Sequence, residues 1–319
     1  MWLDVLSEVL ANCKAERAVT ARFVLGSPFA YSSTGTEGAL IRMSVGGGYW
    51  IAEDGADPIK IEPLDLVMLP HGTPHSVFSA PGLVAEPIAP LVQRHTVGEH
   101  GDAPIMLNAG GSASPIELFS AHLWFSAFSR STVIRILPTL IHVKVADLPA
   151  TRTLSAMMHS LVDETLAQRP GWKLSAIRMA DLLLVHILRG HLADQAAVKA
   201  SWLRGLTDPH IAHAIMLIHR QPCEPWTVES LARVVGMSRS SFNDRFRDYV
   251  DDSPINYLTS HRMSIAATLL EAGNLPLARV AEQVGYASDK VLARAFTKWA
   301  GMTPRQYASA AQMRGRVGL

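Results

Sequence analysis

Between Trp226 and Tyr307 the apolar positions recur with helical spacing, and the same arrangement of them occurs twice. In the first copy Val228, Leu231, Ala232 and Val235 share one face of a short helix that stops at Gly236; a second helix opens at Ser238 with Phe242 and Phe246 on one side. In the second copy Ala281, Val284 and Gly285 follow Ala232, Val235 and Gly236 by 49 positions, and Ser288, Leu292 and Phe296 follow Ser238, Phe242 and Phe246 by 50. The second turn is therefore one residue longer. Glycine ends a helix where the chain must turn with positive φ, and a serine at the next helix start accepts from unpaired amides. The residues four apart pin the second helix of each pair onto the first and leave its other face outward, where a major groove would meet it.

Ser253-Pro254 is a helix start and Gly273-Asn274 a stop, which predicts one helix over Pro254–Ala272 with Ile255, Leu258, Ile265 and Leu269 inward. Nineteen residues span roughly 28 Å, close to the separation of about 34 Å between successive major grooves on one side of DNA. A helical bundle built for packing alone would not need capped outward helices in duplicate at this separation.

The pattern changes in the front half. From residue 14 to about 145, short apolar runs alternate with Gly, Pro, Asp and Ser. ALIRMSVGGGYWIAEDG, PIKIEPLDLVMLP, ELFSAHLWFSA and STVIRILP read as strands between turns, which predicts a small barrel or sandwich. Two helices follow over 152–192, broken at Arg169-Pro170-Gly171; in the second, Leu174, Ile177, Leu182, Leu184, Val185 and Leu188 make an apolar face too broad for a lone surface helix. That face reads as a dimer interface, the alternative being that it packs only on its own barrel. A change of character over 193–208 marks a linker, after which HIAHAIMLIHRQP supplies a supporting helix whose His210, His213 and His219 are expected to be exposed.

Composition narrows the class. The chain has 319 residues, 48% of them hydrophobic, enough for two domains with ordinary cores. No run of 18 apolar residues exists, and Asp4 and Glu8 in the first ten residues are unlike a signal peptide, so a cytoplasmic protein without membrane association is expected. Cys13 and Cys223 are too few for a disulfide framework and read as small buried or half-exposed thiols. The net charge of +1 is unevenly divided: residues 210–319 carry 13 Lys and Arg against 9 Asp and Glu, and residues 1–209 carry 16 against 19. A basic back half joined to a slightly acidic front half suits DNA binding by the back half only.

WTVESLARVVGMSRSSFNDRF, SPINYLTSHRMSIAATLL, VAEQVGYASDKVLARAF and GMTPRQY together resemble the DNA-binding domain of AraC/XylS-type transcriptional regulators, over residues 209 to 308. His261 departs from the tryptophan or arginine usual there, and Leu292 from the usual phenylalanine. DLVMLPHGTPHSV resembles the second sequence motif of cupins, and with ELFSAHLWF, LPTLIHV and RPGWKLSAIRMADLLLVHILRGHL it is similar to the cupin-type sensor domain ahead of one branch of these regulators. The resemblance thus covers nearly the whole chain and implies a homodimer that binds double-stranded DNA and a small-molecule effector, with RNA polymerase as a further partner.

Site residues follow from both lines of reading. Ser240, Asn243 and Asp244 are the expected base readers of the first module, with Arg239 and Arg247 as phosphate partners; Lys290, Val291 and Arg294 are the readers of the second, with Lys298 on phosphate. In the front half Trp50, His71, His75 and His122 are the effector-site candidates, and Tyr49, Phe78, Phe119, Trp124 and Phe125 are further aromatics able to line a pocket. His71, His75 and His122 would also be the ligands of a cupin metal. The first cupin motif should add a His-x-His pair that GGGYWIAEDG lacks, and where the sensor branch often has a cysteine this chain has Ser120, so no cofactor is expected.

The expected architecture is α+β: a cupin-like β-barrel with two helices over 1–192, a linker over 193–208, an all-α domain with two helix-turn-helix motifs over 209–308 and a tail over 309–319. The expected function is sequence-specific, effector-responsive regulation of transcription, not catalysis. The alternative is a cupin metalloenzyme with an accessory helical domain. A nucleoid-type protein that binds DNA without preference would need outward faces made mainly of Lys and Arg, unlike the mixed faces here.

Overall fold

The computed structural model describes residues 5–10, 15–95, 104–125, 134, 137–144, 151–193 and 202–317. The chain divides into two compact units, one of residues 14–125 and 137–194, the other of residues 1–13, 126–136 and 195–319. The strand expected over STVIRILP and the thiol of Cys13 lie almost wholly or wholly outside the described residues.

The first unit carries β1 (Ala15–Ser27), β2 (Ala30–Ser33), β3 (Ala39–Val45), β4 (Tyr49–Glu53), β5 (Ile59–Ile61), β6 (Leu66–Leu69), β7 (His75–Phe78), β8 (Glu86–Pro87), β9 (Ile105–Gly110), β10 (Ala113–Phe125) and β11 (Ile141–Val143). They form a six-stranded sheet in the order β11-β6-β3-β10-β1-β9 and a five-stranded sheet in the order β5-β4-β7-β2-β8. Pairing is antiparallel except for β1 with β9 and β2 with β8. A small cupin-like barrel or sandwich was expected; among the described residues the two sheets share no ladder and pack as a sandwich. The chain crosses from one sheet to the other at Pro28, which has no N–H to extend a ladder, and at Gly46–Gly48, so β1 and β3 end where the second sheet begins. Phe23 and Leu25 of β1, Leu40 of β3 and Leu118 of β10 pack between the sheets against Tyr31, Tyr49, Ile51 and Val77.

A short helix α2 (Ala89–His95) packs on β9, and α3 (Thr151–Ala167) and α4 (Trp172–Ala193) cover the outer face of the six-stranded sheet. There the Thr20 and Thr165 hydroxyls hydrogen-bond to each other, Phe119 meets His159 edge-on at 4.6 Å, and the Ala15 amide donates to Asp181 at 2.8 Å. Within α4 the broad apolar face is split: Leu184 and Leu188 are buried, whereas Leu174 is 61% and Leu182 49% exposed.

The second unit is helical in its described part: α1 (Val5–Leu10), α5 (Trp202–Gly205), α6 (Pro209–Arg220), α7 (Val228–Val234), α8 (Arg239–Val250), α9 (Pro254–Ala272), α10 (Leu277–Gln283), α11 (Asp289–Ala300) and α12 (Pro304–Val317). Helix α1 packs on α6, and α5, in the stretch expected to be linker, packs on α6 and α8 with Leu203 buried. Asp208, itself buried, caps α6 by accepting from the amides of His210 and Ile211, and Arg245 donates to its other oxygen. The inward face of α9 differs from expectation: Leu258 is buried, but Ile255, Ile265 and Leu269 are only partly so, and the face is centred on His261, Met263, Ala266, Ala267 and Leu270. Two alanines there let α10 and α11 approach closely.

His219 was expected to be exposed and is not. Its Nε2 lies 2.9 Å from the Tyr257 hydroxyl and its ring stacks on His261 at 4.0 Å, while His210, exposed, bonds the Val235 carbonyl at 2.7 Å. Burial, then the neighbouring His261, pushes the His219 pKa well below its ordinary value, and burial lowers His261 to about 4.

Candidate nucleic-acid interface

Both expected recognition helices form, and local chemistry explains their limits. Ser238 accepts from the Ser241 amide at 3.2 Å to open α8, and Ser288 from the Val291 amide at 3.4 Å to open α11. Both end in a left-handed residue, Asp251 and Gly301. Phe242, Phe246, Leu292 and Phe296 are wholly buried. Phe242 and Phe246 meet edge-on at 5.7 Å, and Phe296 meets Tyr307 edge-on at 5.3 Å. Ahead of α8, α7 is held by a reciprocal cap in which Thr227 and Ser230 bond each other's backbone amides; α10 starts at Pro276 with no side-chain cap.

The two turns are alike in backbone and unlike in surroundings. Gly236 and Gly285 have φ of 76° and 73°. A Cβ at Gly236 would meet nothing within 4 Å, whereas one at Gly285 would lie 2.6 Å from the Cys223 carbonyl oxygen and 2.7 Å from its Cα. The loop holding Cys223 is fixed in turn by Arg262 of α9, which donates to the Pro222 carbonyl at 2.6 Å and the Glu224 carbonyl at 2.7 Å and lies over the Tyr286 ring at 5.8 Å. Helix α9 thus ties the approach to the first module to the turn of the second. Cys223 itself is exposed.

With their apolar sides buried, the helices leave a defined set of residues outward. Arg239, Ser240, Asp244 and Arg247 on α8 are exposed and Asn243 half-buried, its amide nitrogen 3.5 Å from the Asp244 carboxylate. Lys290, Val291, Arg294 and Lys298 on α11 are all exposed. Several other arginines of this unit are spent internally: Arg245 on Asp208, Arg233 on Glu229, Arg279 on Glu282 and Arg204 on Asp248. Among the described residues Arg239, Arg247, Lys290, Arg294 and Lys298 form no ion pair or side-chain hydrogen bond. Their charges remain available to an external anion.

The front-half candidates are scattered. Strand alternation turns Tyr49 inward but Trp50 and Phe78 to the outer face of the five-stranded sheet, and it turns Phe119 and Phe125 toward the helices. His71 is exposed, its Nε2 2.9 Å from the Leu137 carbonyl; His75 is buried, its Nδ1 2.8 Å from the Thr73 carbonyl. His122 bonds the Glu37 carbonyl and the Thr36 hydroxyl and stacks on Trp124 at 3.8 Å, beneath Arg17. Burial lowers the pKa of His122, and lowers His75 to about 3. Among the described residues no three His, Cys, Asp or Glu side chains stand where they could hold a metal ion, so the cupin ligand set is not assembled from these histidines. No helix among them is long and apolar enough to cross a membrane.

Sequence reasoning missed Arg42, Ser44 and the inward role of Ser120. All three are buried, and Leu40, Arg42 and Ser44 share the inner face of β3. The signal was present in ALIRMSV, where a charge and a hydroxyl alternate with apolar residues in a strand flanked by strands on both sides.

A cupin family matches residues 4–193, and a helix-turn-helix domain family matches residues 231–310. A protein of Streptomyces lividans described as an AraC-like transcription regulator is 31% identical, covering 96% of this chain and 98% of its own length. One of Streptomyces antibioticus, described in the same words, is 30% identical over 96% and 98%. The HTH-type transcriptional regulator AlkR of Acinetobacter baylyi is 29% identical over 82% and 85%.

Proposed function

We propose, starting from the fact that this chain belongs to the AraC-like transcriptional regulators with an N-terminal cupin domain, that it binds selected operator DNA through both outward helices and that a small molecule in the sandwich governs this binding. The observation that carries the reading is the set of uncommitted cations on α8 and α11, in a unit whose other arginines are largely paired. Phosphates take Arg239, Arg247 and Lys298. Asn243 suits adenine N6 and N7, Asp244 the cytosine amino group, Arg294 guanine O6 and N7, and Val291 a thymine methyl; Ser240 and Lys290 complete the two faces. A neutral asparagine, an acid and a valine among the readers favour selective over indiscriminate binding.

The exposed Leu174 and Leu182 on α4 support a homodimer in which a second copy covers that strip. The relatives are named as regulators, and we assign the chain no reaction, a cytoplasmic site of action and RNA polymerase as a further partner. The sandwich acts on DNA binding only as far as its ligand distinguishes the competent from the incompetent state, typically about 5–150-fold in affinity.

Selection of bound sequences from a random DNA library tests the DNA reading. The wild type should return two clusters of preferred bases about ten base pairs apart. Asn243→Ala should relax the first and Arg294→Ala the second, each at about 1–3 kcal/mol. A single cluster, or two mutants with unchanged motifs, rejects it.

A further inference from the structure

The sandwich interior holds polar side chains that its own packing leaves unsatisfied. Strand register places Arg42 of β3 between Ser120 of β10 and Val67 of β6, and Val67 lies in the interior core. From the opposite sheet Tyr49 and His75 project into the same space, in line with the core residues Ile51 and Val77. All are buried: Arg42 is 6% exposed, His75 3%, Ser120 4%, Tyr49 1% and the neighbouring Ser44 0%. Yet among the described residues Nε and Nη1 of Arg42, Oγ of Ser44 and Ser120, Oη of Tyr49 and Nε2 of His75 have no hydrogen-bond partner. The Arg42 charge acts on both Tyr49 and His75, which puts the three groups in one neighbourhood.

Among the described residues no carboxylate pairs with this charge. Arg22 pairs with Glu117 and His142 with Asp65; among the described residues Arg42 forms no ion pair. A guanidinium does not give up its proton at ordinary pH, and an unpaired buried charge is among the most unfavourable features a core can hold. Buried hydroxyls are rarely left without partners. The free groups also differ in kind. Arg42 can only donate, and Tyr49, Ser44 and Ser120 can donate. His75 gives its Nδ1 proton to the Thr73 carbonyl, which fixes the neutral tautomer and leaves Nε2 as an acceptor. A surface groove of about 410 Å³, lined by Ser33, Glu53, Pro74 and His75 among others, reaches the cluster at His75.

We propose that the sandwich interior is the site of a small oxyanion that carries an O–H group of its own, the anionic oxygens held by Arg42, Ser44, Tyr49 and Ser120 and the O–H donated to His75 Nε2. The proposal rests on the sensor reading given above and names its ligand class. A hydroxycarboxylate and a hydrogen phosphate share this chemistry. An acid lacking the hydroxyl leaves His75 unsatisfied, and a neutral amide leaves Arg42 unpaired.

The test is calorimetric titration and thermal unfolding of the full chain in phosphate-free buffer at constant ionic strength. The probes are lactate, 4-hydroxybenzoate, acetate, lactamide, 4-hydroxybenzamide and inorganic phosphate. At least one hydroxycarboxylate or phosphate should raise the unfolding temperature saturably while the amides do not, and acetate should need about tenfold more, the cost of one missing hydrogen bond. A response to the hydroxycarboxylates alone assigns a carboxylate, and one to phosphate alone a phosphate. Arg42→Met should weaken the response at least about thirtyfold. Should that variant not fold, Ser120→Ala must weaken the response severalfold. An undiminished response in Arg42→Met, or in Ser120→Ala where the first variant does not fold, or no response to any of the anions overturns the proposal, since buried water would then satisfy the cluster. Operator selection in the same buffer separates the two readings: selective DNA binding without an anion response sinks the oxyanion site alone, and loss of selective binding sinks the regulator.

Discussion

The two helix-turn-helix modules are one design executed twice in one chain, which makes each a control for the other. Backbone and apolar anchors agree: a left-handed glycine, a serine cap, and two buried residues four apart. What differs is the neighbourhood. The first module has a capping box and an open turn; the second has no side-chain cap on its leading helix and a turn pressed against the Cys223 backbone. The first is thus ordered by its own sequence, the second by what packs around it.

That contrast is open to measurement. The largest effect is expected from the buried aromatics, where Phe246→Ala and Phe296→Ala should each cost about 3–5 kcal/mol in urea unfolding. If the modules are tied through α9, either substitution lowers one common transition of this unit; two separate transitions would break the comparison. Next comes the turn. Gly285→Ala and Gly236→Ala share a left-handed penalty of about 1–2 kcal/mol, and Gly285→Ala adds a clash with backbone that cannot rotate away. Equal losses at the two positions would show that the Cys223 contact is loose.

Acid should strike the helix that joins the modules. His261 is depressed to about 4 in the folded unit against 6.5 ordinarily, and His219 is depressed beside it, so the unfolded chain takes up protons first. Their contribution is complete above pH 6.5 and is lost as the pH falls toward the folded value, by about 2 kcal/mol for His261 at pH 5. Unfolding followed from pH 8 to 5 checks this; a flat profile, or His261→Phe as acid-sensitive as wild type, would refute it. The smallest effects belong to the caps, where Ser238→Ala and Ser288→Ala should each lose about 1 kcal/mol. A much larger loss at Ser288 would mean that the second module leans on its cap more than its packing indicates.

How far the sequence could be read tracks the same distinction. Features set by local chemistry were legible: the caps at Ser238, Ser253 and Ser288, the stops at Gly236, Gly273 and Gly285, and the outward residues of α8 and α11. Features set by distant partners were not. Strand alternation shows that Tyr49 and Trp50 face opposite ways but not which of them faces the core, and the latter turned outward. A barrel and a sandwich differ only in whether edge strands meet, which no strand encodes by itself. His219 read as a surface histidine because its cover, Tyr257 and His261, lies some forty residues later.

Arg262 has a consequence for how target promoters can change over time. Because it clamps the chain ahead of the first module and covers the turn of the second, the two heads cannot slide relative to each other without breaking two hydrogen bonds to main-chain carbonyls. One inserted base pair would rotate one half-site by about 34° relative to the other. Operators should therefore drift by substitution and resist insertions and deletions between the half-sites, and relaxing that constraint should take a mutation at Arg262 before any at the reading residues.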